Sequence, residues 1–123
     1  MSHASLYTAF NNVVVDMLSD MIRRFPGNKE LSACLTFHNM ASKANIRLPY
    51  QKFVEYAIMP YGEKLFAHDD AFFYEKSYDE FTDEGAGLVE AMKHLWSYMT
   101  EEDKQCVHDY LDLLLSVHLK ISS

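Results

Sequence analysis

The sequence is poor in the residues that punctuate or staple small folds, with four glycines, three prolines and two cysteines in 123 positions. So little glycine and proline excludes collagen-like and low-complexity chains, and two cysteines cannot build a disulfide scaffold. No apolar run approaches the roughly 18 residues of a membrane span. The opening Met1-Ser2-His3-Ala4-Ser5 lacks the basic-then-apolar layout of a secretory signal. Positive charge is scarce as well. Eleven Lys and Arg stand against eighteen Asp and Glu, a net of −7, which disfavours nucleic-acid binding through a broad basic footprint. The Gly-x-x-x-x-Gly-Lys-Ser/Thr, Gly-x-Gly-x-x-Gly and Gly-x-Ser-x-Gly patterns are missing, so neither a nucleotide cradle nor a hydrolase elbow is indicated. These absences lead to the expectation of a cytoplasmic protein without membrane contact.

What is present is an ordinary globular composition, 49% hydrophobic and 24% charged. A chain of this length can bury about two thirds of its unfolded surface, enough for one core without staples. The spacing of apolar residues is helical throughout, and no stretch alternates as a strand would. Leu6, Phe10, Val13, Val14, Met17, Leu18, Met21 and Phe25 fall on one face of a first helix ending near Arg24. Pro26-Gly27 stops it. Asn28 is placed to cap a second helix reaching Ala44, with Leu31, Cys34, Leu35, His38 and Ala41 on one side. Pro49 suits the first turn of a third, packed through Tyr50, Phe53, Val54 and Ala57, and Pro60 predicts a kink near Met59 before a resumed turn through Leu65 and Phe66.

A short helical stretch around Ala71–Glu75, capped by Asp69 or Asp70, is expected next, followed by an irregular run to Gly87. A further helix spans roughly Gly87 to Met99, with Leu88, Met92, Leu95, Trp96 and Met99 inward and Glu90, Lys93, His94 and Ser97 outward. Thr100 opens the last helix, with acids in the first turn where the helix dipole favours them. Its inner side carries Val107, Tyr110, Leu111, Leu114, Val117, His118 and Ile121. The fold class predicted is all-α: a single compact domain over residues 1–123, with five to six helices in a bundle or an orthogonal array.

The chemistry-bearing residues do not assemble into a recognisable site. Cys34 and His38, four apart, share a helical face as two ligands of one metal would, but no second pair completes the set. Cys106 and His108, two apart, point in different directions on a helix. Asp79–Glu90 has the length of a calcium-binding loop, yet Phe81 stands at its third position and Glu84 where the turn requires glycine. His118 reads as a packed, hydrogen-bonded core residue. His68-Asp69-Asp70 reads as helix capping, and both cysteines as small buried or half-buried hydrophobes. No catalytic residue, metal or cofactor is predicted.

Charge is divided unevenly. Residues 1–66 hold seven basic and five acidic groups, net +2, whereas residues 67–123 hold four basic and thirteen acidic, net −9. Eight acids fall between Asp69 and Glu90, where Lys76 is the only cation, and this acidic run adjoins ten large rings from Tyr50 to Phe81. Phe72-Phe73-Tyr74 cannot all face inward from one turn. The candidate interaction surface is therefore Asp69, Asp70, Phe73, Asp79, Glu80, Asp83 and Glu84, with Arg23, Arg24 and Lys29 as the complementary basic cluster.

A resemblance follows from the order of motifs. These are Phe25-Pro26 closing the first helix, Met59-Pro60-Tyr61-Gly62-Glu63-Lys64-Leu65, His68-Asp69-Asp70-Ala71-Phe72-Phe73, Leu95-Trp96, and Tyr110-Leu111 in the closing helix. This order resembles that of short, all-helical proteins of unassigned activity encoded in several copies by giant (nucleocytoplasmic large) DNA viruses, with Ser77–Gly87 as an insert-like departure. The resemblance implies a viral setting, host cytoplasm or virion, and transfers no catalytic residue. Together these observations predict a non-enzymatic interaction or assembly module acting on a protein partner or on itself. The alternative is a small enzyme or metal-binding protein using Cys34, His38 and either His68 or His118.

Overall fold

The helical periodicity is realised in full across residues 3–69 and 87–123, which the computed structural model describes. The elements in chain order are α1 (His3–Arg24), α2 (Lys29–Ala44), α3 (Leu48–Phe53), a π-helical turn (Val54–Ile58), α4 (Met59–Phe66), α5 (Gly87–Trp96) and α6 (Glu101–Ser122). There is no strand among the described residues. The architecture is all-α, as the spacing predicts.

The local signals act where the sequence puts them. The Asn28 side-chain oxygen accepts from the Leu31 amide at 2.9 Å, capping α2. Thr100 caps α6 reciprocally: its hydroxyl accepts from the Asp103 amide and the Asp103 carboxylate accepts from its own, both at 3.1 Å. Gly27, at φ 85°, makes the left-handed turn between α1 and α2. His68 takes the same region at φ 55° to close α4. The amides of His68 and Asp69 turn back to Leu65 and Lys64 at 3.2 and 2.8 Å, the bond pair that seals a helix C-terminus through a left-handed residue.

Pro60 does not end its helix. A proline inside a helix lacks the N–H for the carbonyl four residues back, and its ring crowds that carbonyl. Here the turn just before it widens, with the Met59 amide reaching the Val54 carbonyl five residues back. Leu48 to Phe66 is thus one continuous helical run with a register change in its middle.

The core is built by all the helices, with Tyr50, Phe53, Ala57 and Leu65 supplied by the run from α3 to α4. Phe10, Met17, Leu18 and Met21 of α1, Leu31 of α2, Trp96 of α5, and Val107 and Leu114 of α6 are essentially without exposure. The two 22-residue helices α1 and α6 pair along their length, and α2 packs on both α1 and α5. Truncating a side chain as enclosed as Met17 costs about 2–5 kcal/mol through lost transfer energy and the cavity left behind. Two details differ from the sequence reading. α5 stops at Trp96 rather than Met99, with the Tyr98 and Met99 amides turning back to Leu95 and Trp96. Lys93, expected outward, is 8% exposed, because its stem crosses the core edge and its amine sits 4.6 Å over the Tyr61 ring and 3.2 Å from the Tyr61 hydroxyl.

Candidate interaction surface

Polar side chains between helices form clusters, and each has a structural role. The largest joins the end of α1 to the start of α6. Asp20 accepts from the Cys106 thiol at 3.1 Å and the Tyr110 hydroxyl at 3.2 Å, and its other oxygen faces Arg23 at 2.8 Å and Arg24 at 3.4 Å. Arg24 continues to Asp103 at 2.8 Å. Burial works to raise the Asp20 carboxyl, but the two donated hydrogen bonds and the guanidinium charges outweigh it and hold it below its ordinary value. Asp103 is held low chiefly by the hydrogen bond from Arg24, which is itself raised by the same bond.

The thiols are correspondingly inert. Burial, then the neighbouring Asp20 carboxylate, pushes Cys106 up to about 11, and burial with Glu30 pushes Cys34 up to about 11. Neither supplies a thiolate for nucleophilic chemistry near neutral pH. Cys34 has His38 on its face, as the four-residue spacing requires. His38 is 9% exposed, burial lowers its basicity, and its Nε2 has no hydrogen-bond partner. Both cysteines are free. Among the described residues, no three His, Cys, Asp or Glu side chains are arranged to hold a metal ion.

The remaining histidines are pinned individually. His118 is half-buried and accepts from the Tyr50 hydroxyl through Nδ1 at 2.8 Å, while burial holds it neutral by lowering its basicity. This is the packed, hydrogen-bonded histidine that its place in the α6 stripe suggests. His68 reaches across to Asp112 at 2.6 Å rather than to its acidic chain neighbours, and stacks at 5.0 Å on His108, whose ring meets the Trp96 edge at 5.7 Å. His94 meets Glu30 at 3.0 Å, joining α5 to α2.

Of the basic residues singled out from the sequence, Arg23 is exposed and Arg24 half-buried, both engaged with Asp20. Lys29 is exposed at the first residue of α2. Asp69 is exposed, one residue beyond the left-handed His68. Asp70, Phe73, Asp79, Glu80, Asp83 and Glu84 lie outside the described residues, as does the short helix expected around Ala71–Glu75.

The surface that the structure adds is apolar. Met59 is 77% exposed and Phe66 47%, one above the other on the solvent face of α4, with Gly62 and Glu63 between them. Met40 and Ile46 are exposed at the end of α2 and in the turn after it, beside the exposed Lys43 and Arg47. A sequence reading that treats every large apolar residue as core passes over these four. Their signal is an off-face position: Met40 lies outside the Leu31–His38 stripe, and Met59 and Phe66 lie off the Leu65 face. No helix among the described residues is long and apolar enough to cross a membrane. The chain matches no family model, no curated protein and no solved structure.

Proposed function

We propose that the chain is a non-enzymatic interaction module, which works by presenting side chains to another protein surface rather than by turning over a substrate. The single observation that carries this reading is the exposed pair Met59 and Phe66 on one face of α4. Surface methionines and aromatics aligned at helical spacing cost solubility and offer a rigid apolar ridge to a partner. The environments of Cys34, Cys106 and His118 agree with it: burial raises both thiols and lowers the basicity of His118, whose ring bonds the Tyr50 hydroxyl. The acidic, aromatic-rich stretch that follows α4 in sequence extends the same side of the reading, with Arg23, Arg24 and Lys29 as its basic counterpart. The proposed setting, host cytoplasm or virion, follows from the viral resemblance.

A photo-cross-linking side chain placed at Phe66 tests this, with the exposed Ser32 as the control position. Adducts with a protein at position 66 and none at position 32 are expected. No protein adduct at position 66, or a stoichiometric metal in protein purified without chelator, would overturn the reading in favour of the metal-dependent alternative.

A further inference from the structure

Besides Tyr98, Leu113 and Leu119, the exposed large apolar side chains among the described residues form two patches, and these carry opposite charge. On α4, Met59, Gly62, Glu63 and Phe66 share one face, and Glu55, one turn earlier, is already taken by Lys52 at 3.6 Å. Glu63 is therefore the carboxylate of that patch, and Lys64 is turned about 100° away around the helix. A Cβ added at Gly62 would meet only Ile58, at 3.8 Å, so the patch has an open notch between its two large side chains. The second patch joins Met40 and Lys43, one turn apart on α2, to Ile46 and Arg47. It is rigidly set. Asn11 donates to the Ile46 carbonyl at 3.1 Å, the Arg47 amide donates to the Asn45 side chain at 3.0 Å, and the Arg47 guanidinium rests 5.5 Å over the Tyr7 ring.

We infer that the occupant of the α4 face is the Met40–Arg47 patch of a second copy of this chain, in a head-to-tail contact. The inference rests on reading the chain as an interaction module and names the partner. Charge complementarity is its first ground: an apolar pair beside Glu63 meets an apolar pair beside Lys43 and Arg47. Distance is its second. The Arg47 end of one patch lies at the start of the helical run from Leu48 to Phe66, and Met59 and Phe66 lie about 17 and 27 Å along it at 1.5 Å per residue, beyond side-chain contact within one chain. Because the two surfaces differ, the contact is heterologous, and a pair keeps one surface of each kind free, one on each copy, to add another. A handful of side chains a side puts it below the standard interface of about 1,600 Å², so association is weak and depends on concentration.

The test is the mass of the full chain by light scattering, from low micromolar to millimolar, at low and high salt, with two charge reversals. The wild-type mass is expected to rise with concentration and fall with salt. Glu63→Lys and Lys43→Glu each weaken association by about tenfold or more, since like charges then face each other. Mixed in equal amounts they associate again, because the unaltered α4 face of one variant meets the unaltered patch of the other, and the two altered surfaces are also of opposite charge. Met59→Ser weakens association without changing the circular dichroism spectrum, the residue being exposed in the free chain. A chain monomeric at millimolar concentration, reversals that associate like wild type, or a mixture that fails to regain association would each overturn the inference. A monomer that still cross-links a different protein at position 66 removes the second copy and keeps the interaction module. A monomer that cross-links nothing removes both.

Discussion

Asp20 is the most heavily used acceptor described here, and replacing it with alanine gives the sharpest stability prediction. The side chain is 15% exposed and takes hydrogen bonds from Cys106 and Tyr110, together with the partly buried Arg24. A hydrogen bond to a charged group contributes about 1.5–3 kcal/mol net, and a thiol is the weaker of the two donors. Arg23, 76% exposed, adds next to nothing. The expected loss in Asp20→Ala is about 3 kcal/mol, or about 10 °C in Tm for a domain of this size. Urea unfolding at neutral pH measures it, with the slope against denaturant unchanged if the folded state is intact. A double-mutant cycle with Tyr110→Phe isolates one bond and is expected to show coupling of about 1.5 kcal/mol. A loss under about 1 kcal/mol, or coupling indistinguishable from zero, would refute the view that this carboxylate joins α1 to α6.

Further outcomes follow from the same structure. His38 and His118 are both held below their ordinary value of 6.5, so below that pH the unfolded chain binds more protons than the folded one. Stability is expected to be full above about pH 6.5 and to fall as pH drops toward the lowered folded values. A shallower decline in His118→Gln, read by unfolding at a series of pH values, checks the assignment. Asp20 and Asp103, held below their ordinary 3.8, add a second loss only in stronger acid. Thr100→Ala removes the reciprocal cap of α6 and should cost about 1 kcal/mol by urea titration. Cys34 and Cys106, pushed up to about 11, should react with iodoacetamide at neutral pH about a hundredfold more slowly than an exposed cysteine, measured by mass spectrometry on the folded protein.

The fold was largely legible because its cues are local. The stripe from Leu6 to Met21, the Asn28 and Thr100 caps, and the Pro26-Gly27 stop each act within one or two turns, so sequence spacing suffices to place them. Pro60 was legible as a disturbance but not as a widened turn, since whether a helix breaks or absorbs an extra residue depends on what packs against it. Lys93 eluded the periodicity argument because a long aliphatic stem buries while its amine finds Tyr61, a partner 32 positions away. The candidate surface was harder still. Asp20 with Cys106, His68 with Asp112 and the exposed Met59 and Phe66 all depend on how helices approach each other, and one-helix periodicity carries no information about that.

The widened turn at Val54–Ile58 acts as a phase shifter. It places one more residue in the run than a regular helix would hold, so everything after it is rotated by about 100° relative to an unbroken register. Leu65 reaches the core, and Met59 and Phe66 reach solvent, only in that rotated frame. Closing the turn into regular helix with every residue kept would draw Leu65 out of the interior and move the methionine–phenylalanine ridge off its outward bearing, whereas deleting one residue of the turn would restore the regular repeat and leave both where they are. A one-codon deletion within this turn would therefore be absorbed without changing what α4 shows to the outside.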